Sequence, residues 1–128
     1  MILDSSAIVA LFLKSPGHET LQAKIGAATF IGISAATLVE TAIVLSSRLN
    51  RDMRGSLARF IEESGAIVIP FTESHYSLAV SAWLKYGKGR HPAALNFGDC
   101  LTYAAAKAAR MPLLYIGDDF PQTDLHLA

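Results

Sequence analysis

The stretch Thr29-Phe30-Ile31-Gly32-Ile33-Ser34-Ala35-Ala36-Thr37-Leu38-Val39-Glu40 changes pattern half-way along, and that change decides the fold class. Residues 29–33 are short, apolar and rich in β-formers, which reads as a buried strand. Ser34 is a helix-capping residue type, and after it Leu38, Ala42, Leu45 and Leu49 recur near helical spacing. The same alternation continues outward on both sides. Before it, Ile2-Leu3 is a minimal apolar run ended by Asp4. Residues 5–14 then read as a helix capped by Asp4 or Ser5, with Ala7, Ile8, Leu11 and Phe12 at helical spacing. Ser15-Pro16-Gly17 breaks it, and residues 19–28 form a second helix.

After the central stretch, residues 53–64 read as a helix ended by Gly65, and Ala66-Ile67-Val68-Ile69-Pro70 is the clearest strand. A helix over 73–86 follows, with Tyr76, Ala79, Val80 and Trp83 expected to face inward and Trp83 to pack in the core. Residues 87–92 are a polar loop. A further helix starts at Phe97 or Gly98 and ends near Arg110. Leu113-Leu114-Tyr115-Ile116 is a strand, residues 117–121 are a turn, and residues 125–128 add a minor last strand. Short apolar strands alternating with helices imply a parallel sheet covered on both faces. Ligands of such sheets bind beyond the carboxyl ends of the strands.

With 128 residues, of which 52% are hydrophobic and 17% charged, the chain is sized for one packed domain, 1–128. Eleven basic and eleven acidic residues give no net charge, which excludes nucleic-acid binding by bulk charge but not by a local patch. The single cysteine, Cys100, excludes an internal disulfide and a thiolate-rich metal site. Neither a signal peptide nor a spanning segment is evident, so a cytoplasmic protein is expected.

Acidic residues at four places, the last of them a pair, stand in unusual company. Asp4 directly follows the first strand. Glu40 is the only charge between Phe30 and Ser47, and Asp99 the only one between His91 and Lys107. Asp118 and Asp119 follow the last clear strand. Each has an ordinary explanation: Asp4 as a helix cap, Asp99 as a complement to a helix N-terminus, Asp118 or Asp119 as a turn former. Glu40 is too deep in its helix for a cap, and Ala36, Thr37, Ile43 and Val44 offer it no basic partner. Taken jointly, two carboxylates about 5 Å apart repel by roughly 3 kcal/mol at an effective dielectric near 20, so a cluster calls for a cation. Hard oxygen ligands without cysteine point to Mg²⁺ or Mn²⁺. Such an ion activates water and neutralises a phosphoryl oxygen, which suits phosphodiester hydrolysis.

Met1-Ile2-Leu3-Asp4-Ser5-Ser6-Ala7, Ser34 to Glu40, Asn96-Phe97-Gly98-Asp99, and Gly117-Asp118-Asp119-Phe120 with Thr123-Asp124-Leu125 together resemble the PIN-domain ribonucleases of the VapC toxin family. The resemblance spans essentially the whole chain. It implies a three-layer α/β/α sandwich around a short, mostly parallel sheet. It also implies Mg²⁺- or Mn²⁺-dependent endoribonuclease activity and a toxin role. The expected partners are RNA, a second copy in a homodimer, and a VapB-type antitoxin whose C-terminal segment blocks the site. By position, Asp4 and Asp99 match the principal metal ligands and Glu40 the third acid. Ser6 matches a small hydroxyl residue that supports the first acid. The fourth acid falls at Asp119, with Asp118 next and Asp124 a further candidate.

Phosphates flanking the scissile bond need cations, for which Lys14, Arg48, Arg51, Arg54 and the Lys85–His91 stretch are available. Leu38, Leu45, Leu49, Leu57 and Phe60 form a partner groove or simply core. Two other classes compete. A haloacid dehalogenase-type phosphatase expects a second Asp where Ser6 stands and a late lysine, for which Lys107 is poorly placed. A non-catalytic receiver-like or dimerisation module has no use for an isolated Glu40.

Overall fold

The computed structural model describes residues 1–128. Its strands are very short: β1 (Ile2–Leu3), β2 (Gly32–Ser34), β3 (Ile67–Ile69) and β4 (Leu113–Leu114). All pair in parallel, in the order β3-β2-β1-β4. Helices α1 (Ser5–Phe12), α2 (His18–Ala27), α3 (Ala35–Leu49), α4 (Arg54–Ser64), α5 (Glu73–Tyr86) and α6 (Phe97–Ala109) fill the connections. The chain builds outward from β1 to β3, then returns to place β4 on the other side of β1. Strand order therefore reverses at β1, and sheets of this kind bind ligands beyond the carboxyl end at such a point. Asp4 stands there.

Side chains alternate across the sheet, so each strand feeds two cores. Ile2 and Leu113 join Ala79, Ala82, Tyr86, Leu95, Tyr103 and Ala104 under α5 and α6. Leu3 and Leu114 join Ala7, Ile8, Ile33, Leu45, Met53 and Leu57 under the other helices. This is the three-layer α/β/α arrangement. Fully burying one such Leu or Ile contributes about 1.5–3 kcal/mol.

Three expectations need correction. The central strand begins at Gly32 rather than Thr29, because the Phe30 carbonyl instead receives the Met1 ammonium at 2.6 Å. A Cβ at position 32 would press on the Cδ1 tips of Ile69 and Ile2, at 2.7 and 2.9 Å, so glycine here makes room for those two side chains. The run Ala66–Pro70 does form a strand at Ile67–Ile69, but at the sheet edge. Ile67 and Val68 are 53% and 39% exposed, so the cover on both faces fails at this edge.

The third correction concerns α5. Its inward residues are His75, Ala79, Ala82 and Tyr86, whereas Tyr76, Val80 and Trp83 are exposed. Small alanines let α5 lie close to α6, and the larger side chains are turned outward. Trp83 instead carries the Arg90 guanidinium 4.8 Å from its ring centroid. The last strand amounts to one bridge, Leu113 with Leu127. Leu45 and Leu57 are fully buried, so the proposed helical groove is mainly core. No helix is long and apolar enough to cross a membrane.

Candidate active site

Asp4 is 97% buried because β1 ends under the start of α1. Its Oδ2 caps α1, accepting from the Ser6 amide at 3.1 Å and the Ser6 hydroxyl at 2.5 Å. The Ser6 hydroxyl in turn accepts from the Ile116 amide at 2.9 Å, tying the segment after β4 to Asp4. Asp4 Oδ1 has no partner although it is buried. An anionic oxygen in that state is costly unless something absent from the chain itself neutralises it.

Asp99 is built the same way. Asn96 and Asp99 form a capping box on α6: the Asp99 amide donates to Asn96 Oδ1 at 2.8 Å, and Asp99 Oδ2 accepts from the Asn96 amide at 3.0 Å. Burial and the negative charges of Asp4, Asp119 and Glu40 push its carboxyl up to about 6, against the opposing Asn96 amide. Glu40, half-buried on α3, is also raised, by burial first and then by Asp4; the Ser5 hydroxyl opposes this. Thus Asp4, Glu40 and Asp119, taken from three other parts of the chain, all bear with their charge on Asp99. No lysine or arginine shares the site: the lysine and arginine ion pairs of the protein are Arg54–Asp52 and Lys107–Asp124.

Asp118 and Asp119 are both exposed, and of the two only Asp119 adds to the raised carboxyl of Asp99. Asp124 lies elsewhere, held by Lys107 at 2.7 Å and the Tyr103 hydroxyl at 2.6 Å, so its charge is already accounted for. Cys100, next to Asp99, has its thiol pushed up to about 11 by burial and by that neighbour, which removes thiolate chemistry at neutral pH. His91 is fixed by the Ala93 amide and the Tyr86 ring rather than free in its loop.

Sequence reasoning missed a buried pin beneath the site. Thr37 and Thr102 share a hydroxyl–hydroxyl hydrogen bond of 2.9 Å, and both are almost wholly enclosed. Thr37 lies three residues before Glu40 and Thr102 three after Asp99, so the pin joins the two helices that carry these acids. Thr41 satisfies its own hydroxyl on the Thr37 carbonyl at 2.8 Å. The available signal was three threonines at inward positions of otherwise apolar faces.

The donor set suits a hard divalent cation. Asp4 offers an unpartnered buried oxygen and Asp99 a carboxylate crowded by like charges. No three His, Cys, Asp or Glu side chains are already drawn together tightly enough to enclose an ion. A Mg²⁺-type ion needs only one or two carboxylates, with water in the other positions, so Asp4 and Asp99 are the two that would hold it.

The PIN domain profile matches residues 1–125. The chain belongs to the PIN-domain family. Within this family it groups with the VapC ribonucleases. It is 48% identical over 126 residues to ribonuclease VapC36 of Mycobacterium tuberculosis, covering 98% of this chain and 91% of that one. It is 40% identical over 129 residues to ribonuclease VapC28 of the same species, covering 100% and 97%. Among solved structures, M. tuberculosis VapC20, described as a Sarcin-Ricin loop cleaving toxin, superposes with a TM-score of 0.80 at 16% identity, covering 99% and 97%. VapBC2 of Rickettsia felis, solved on a fragment of promoter DNA, gives 0.76 at 18% identity, covering 99% and 96%. These two show a shared PIN fold. The family assignment sets aside the phosphatase and receiver-like alternatives.

Proposed function

We propose that this PIN-domain protein is a Mg²⁺- or Mn²⁺-dependent endoribonuclease of the cytoplasm, the toxin of a VapBC-type toxin–antitoxin pair. The observation that carries the metal reading is the unpartnered, buried Oδ1 of Asp4 among acids that no basic side chain neutralises. Asp4 and Asp99 would hold the ion, which when bound supplies charge neutralisation at the scissile phosphate and acidifies water. Glu40, already raised, is suited to orient the attacking water and accept its proton. Asp119 adds negative charge on the open side of the site. Ser6 keeps Asp4 Oδ2 engaged so that Oδ1 points free.

Of the cations set out for RNA, Arg54 is committed to Asp52 and Arg90 to Trp83 and the Leu84 carbonyl. Lys85 lies 5.0 Å from the Tyr86 ring centroid. Lys14, Arg48, Arg51 and Lys88 are exposed without a carboxylate partner and are the better candidates for phosphate contact. Exposed Tyr76, Val80, Trp83 and Leu84 on α5 support a homodimer. A VapB-type antitoxin is supported by the kinship to VapC proteins and by solved neighbours that are toxin–antitoxin assemblies.

The test is direct. Purified protein should cleave RNA with Mg²⁺ or Mn²⁺, and expression alone should arrest growth unless the antitoxin encoded beside it is co-expressed. Folded protein that neither cleaves any RNA tested with these ions nor slows growth would overturn the proposal.

A further inference from the structure

Gly98 is the second residue of α6 and the immediate neighbour of Asp99, and it is buried. Its backbone lies outside the left-handed region, so the main chain does not demand glycine there. Glycine is a poor helix former, which leaves space as the reason for its presence. Gly26 and Gly55 also lie in helices, and a Cβ added at either would meet nothing within 4 Å. At Gly98 the added Cβ would fall inside the Glu40 carboxylate, against Oε2, 2.6 Å from Cδ and 2.8 Å from Oε1. Glu40 thus reaches from α3 onto the backbone of α6, and rests on the one spot there that has no side chain.

We propose that Gly98 is a positioning residue: its missing side chain is the seat that holds the Glu40 carboxylate beside Asp99. A methyl group at 98 expels that carboxylate from the acid cluster and leaves the fold standing. The displaced group is the far end of a flexible side chain on a half-buried residue, so it can swing toward solvent. The Thr37–Thr102 hydrogen bond still holds α3 against α6. Alanine also suits a helix better than glycine. The consequence for cleavage rests on the ribonuclease reading above, but the seat itself is a property of the metal-free protein.

The experiment is a double-mutant cycle with wild type, Gly98→Ala, Glu40→Ala and the double variant. It reads metal-free Tm, Mn²⁺ affinity by calorimetry, and RNA cleavage. Expected is a Gly98→Ala protein that folds but loses about 100-fold in kcat, the scale of a lost general base. Its Mn²⁺ affinity should match that of Glu40→Ala, and adding Gly98→Ala to Glu40→Ala should change kcat by less than about twofold, because coupled sites do not add. Gly98→Ala should raise the Tm of Glu40→Ala by more than it raises that of wild type. Wild-type kcat in Gly98→Ala, a further large loss in the double variant, or a Tm drop that Glu40→Ala does not relieve would each overturn the seat. Wild-type protein inert toward RNA would sink the ribonuclease reading alone, and the Tm cycle would still judge the seat.

Discussion

Metal-free protein should lose stability as pH rises through the acidic range, a direction opposite to ordinary acid denaturation. Asp99 carries the effect. Its carboxyl is held at about 6, against an ordinary 3.8, by burial and by Asp4, Asp119 and Glu40. Because the native carboxyl keeps its proton to higher pH than the unfolded one, the native state binds more protons between these two values. Stability is therefore fully present below pH 3.8 and falls as pH climbs through about 6. At about 1.4 kcal/mol per pH unit, the unscreened loss is about 3 kcal/mol. Asp99 is only half-buried, and solvent screening reduces this to about 1–2 kcal/mol. Glu40, also raised, adds in the same direction.

For a domain of this size such a loss lowers Tm by roughly 3–10 °C. The assay is thermal unfolding followed by circular dichroism in EDTA, from about pH 4 to 6.5, because the groups that oppose the trend act outside it: the lowered carboxyls of Asp52 and Asp124 in more acidic solution, and the partly buried Met1 amine, lowered from 8.0, in more basic solution. Saturating Mg²⁺ should raise Tm most at the upper end and flatten the profile, since the ion binds the ionised form. Asp99→Asn should remove most of the slope. A metal-free Tm that holds level or increases over this range, or a slope untouched by Asp99→Asn, would refute the crowding of charge on which the site is built.

Other outcomes follow from the same geometry. Asp4→Asn and Asp99→Asn should each reduce RNA cleavage by about 100-fold or more, in line with the loss of a charge-stabilising ligand, while circular dichroism shows the fold retained. Asp124→Asn should leave cleavage near wild type and cost about 0–1 kcal/mol in denaturant unfolding, because its partnership with Lys107 is partly exposed. Asp119→Asn should slow cleavage more than Asp118→Asn in a side-by-side kinetic comparison, since only Asp119 bears on Asp99. EDTA should stop cleavage and added Mn²⁺ restore it; turnover that persists after exhaustive chelation would count against the metal.

The alternation of strand and helix was legible because periodicity changes so sharply, as at Ile33 and Ser34. The isolated charges of Glu40 and Asp99 were legible because a lone acid in an apolar helix has few structural uses. What failed to show was side-chain direction on α5, where apolar residues occur all round and nothing in the pattern says that the alanines pack inward. The edge position of β3 was equally hidden, since an apolar run looks the same whether or not a neighbour covers it. Asp124 and Asp119 could not be separated by spacing alone. Only the approach of Lys107 and Tyr103, 17 and 21 residues away along the chain, distinguishes them.

Asp4 and Asp99 show why the ordinary and the chemical explanation of an acid need not exclude each other. Each spends Oδ2 on a helix N-terminus: Asp4 on α1 through the Ser6 amide, Asp99 on α6 through the Asn96 amide. Capping fixes the rotamer, and with it the direction of the second oxygen. A carboxylate held only by a metal would be loose in the metal-free protein, and its ordering would oppose binding. Here the helix ends supply that order in advance, and they bring the two carboxylates near enough for the charge of Asp4 to bear on Asp99. The cost is concentrated negative charge, which surfaces in the raised carboxyls of Asp99 and Glu40. Stability given up in the metal-free state and readiness to bind a cation are therefore two consequences of one arrangement, and a variant that relieves the first should weaken the second.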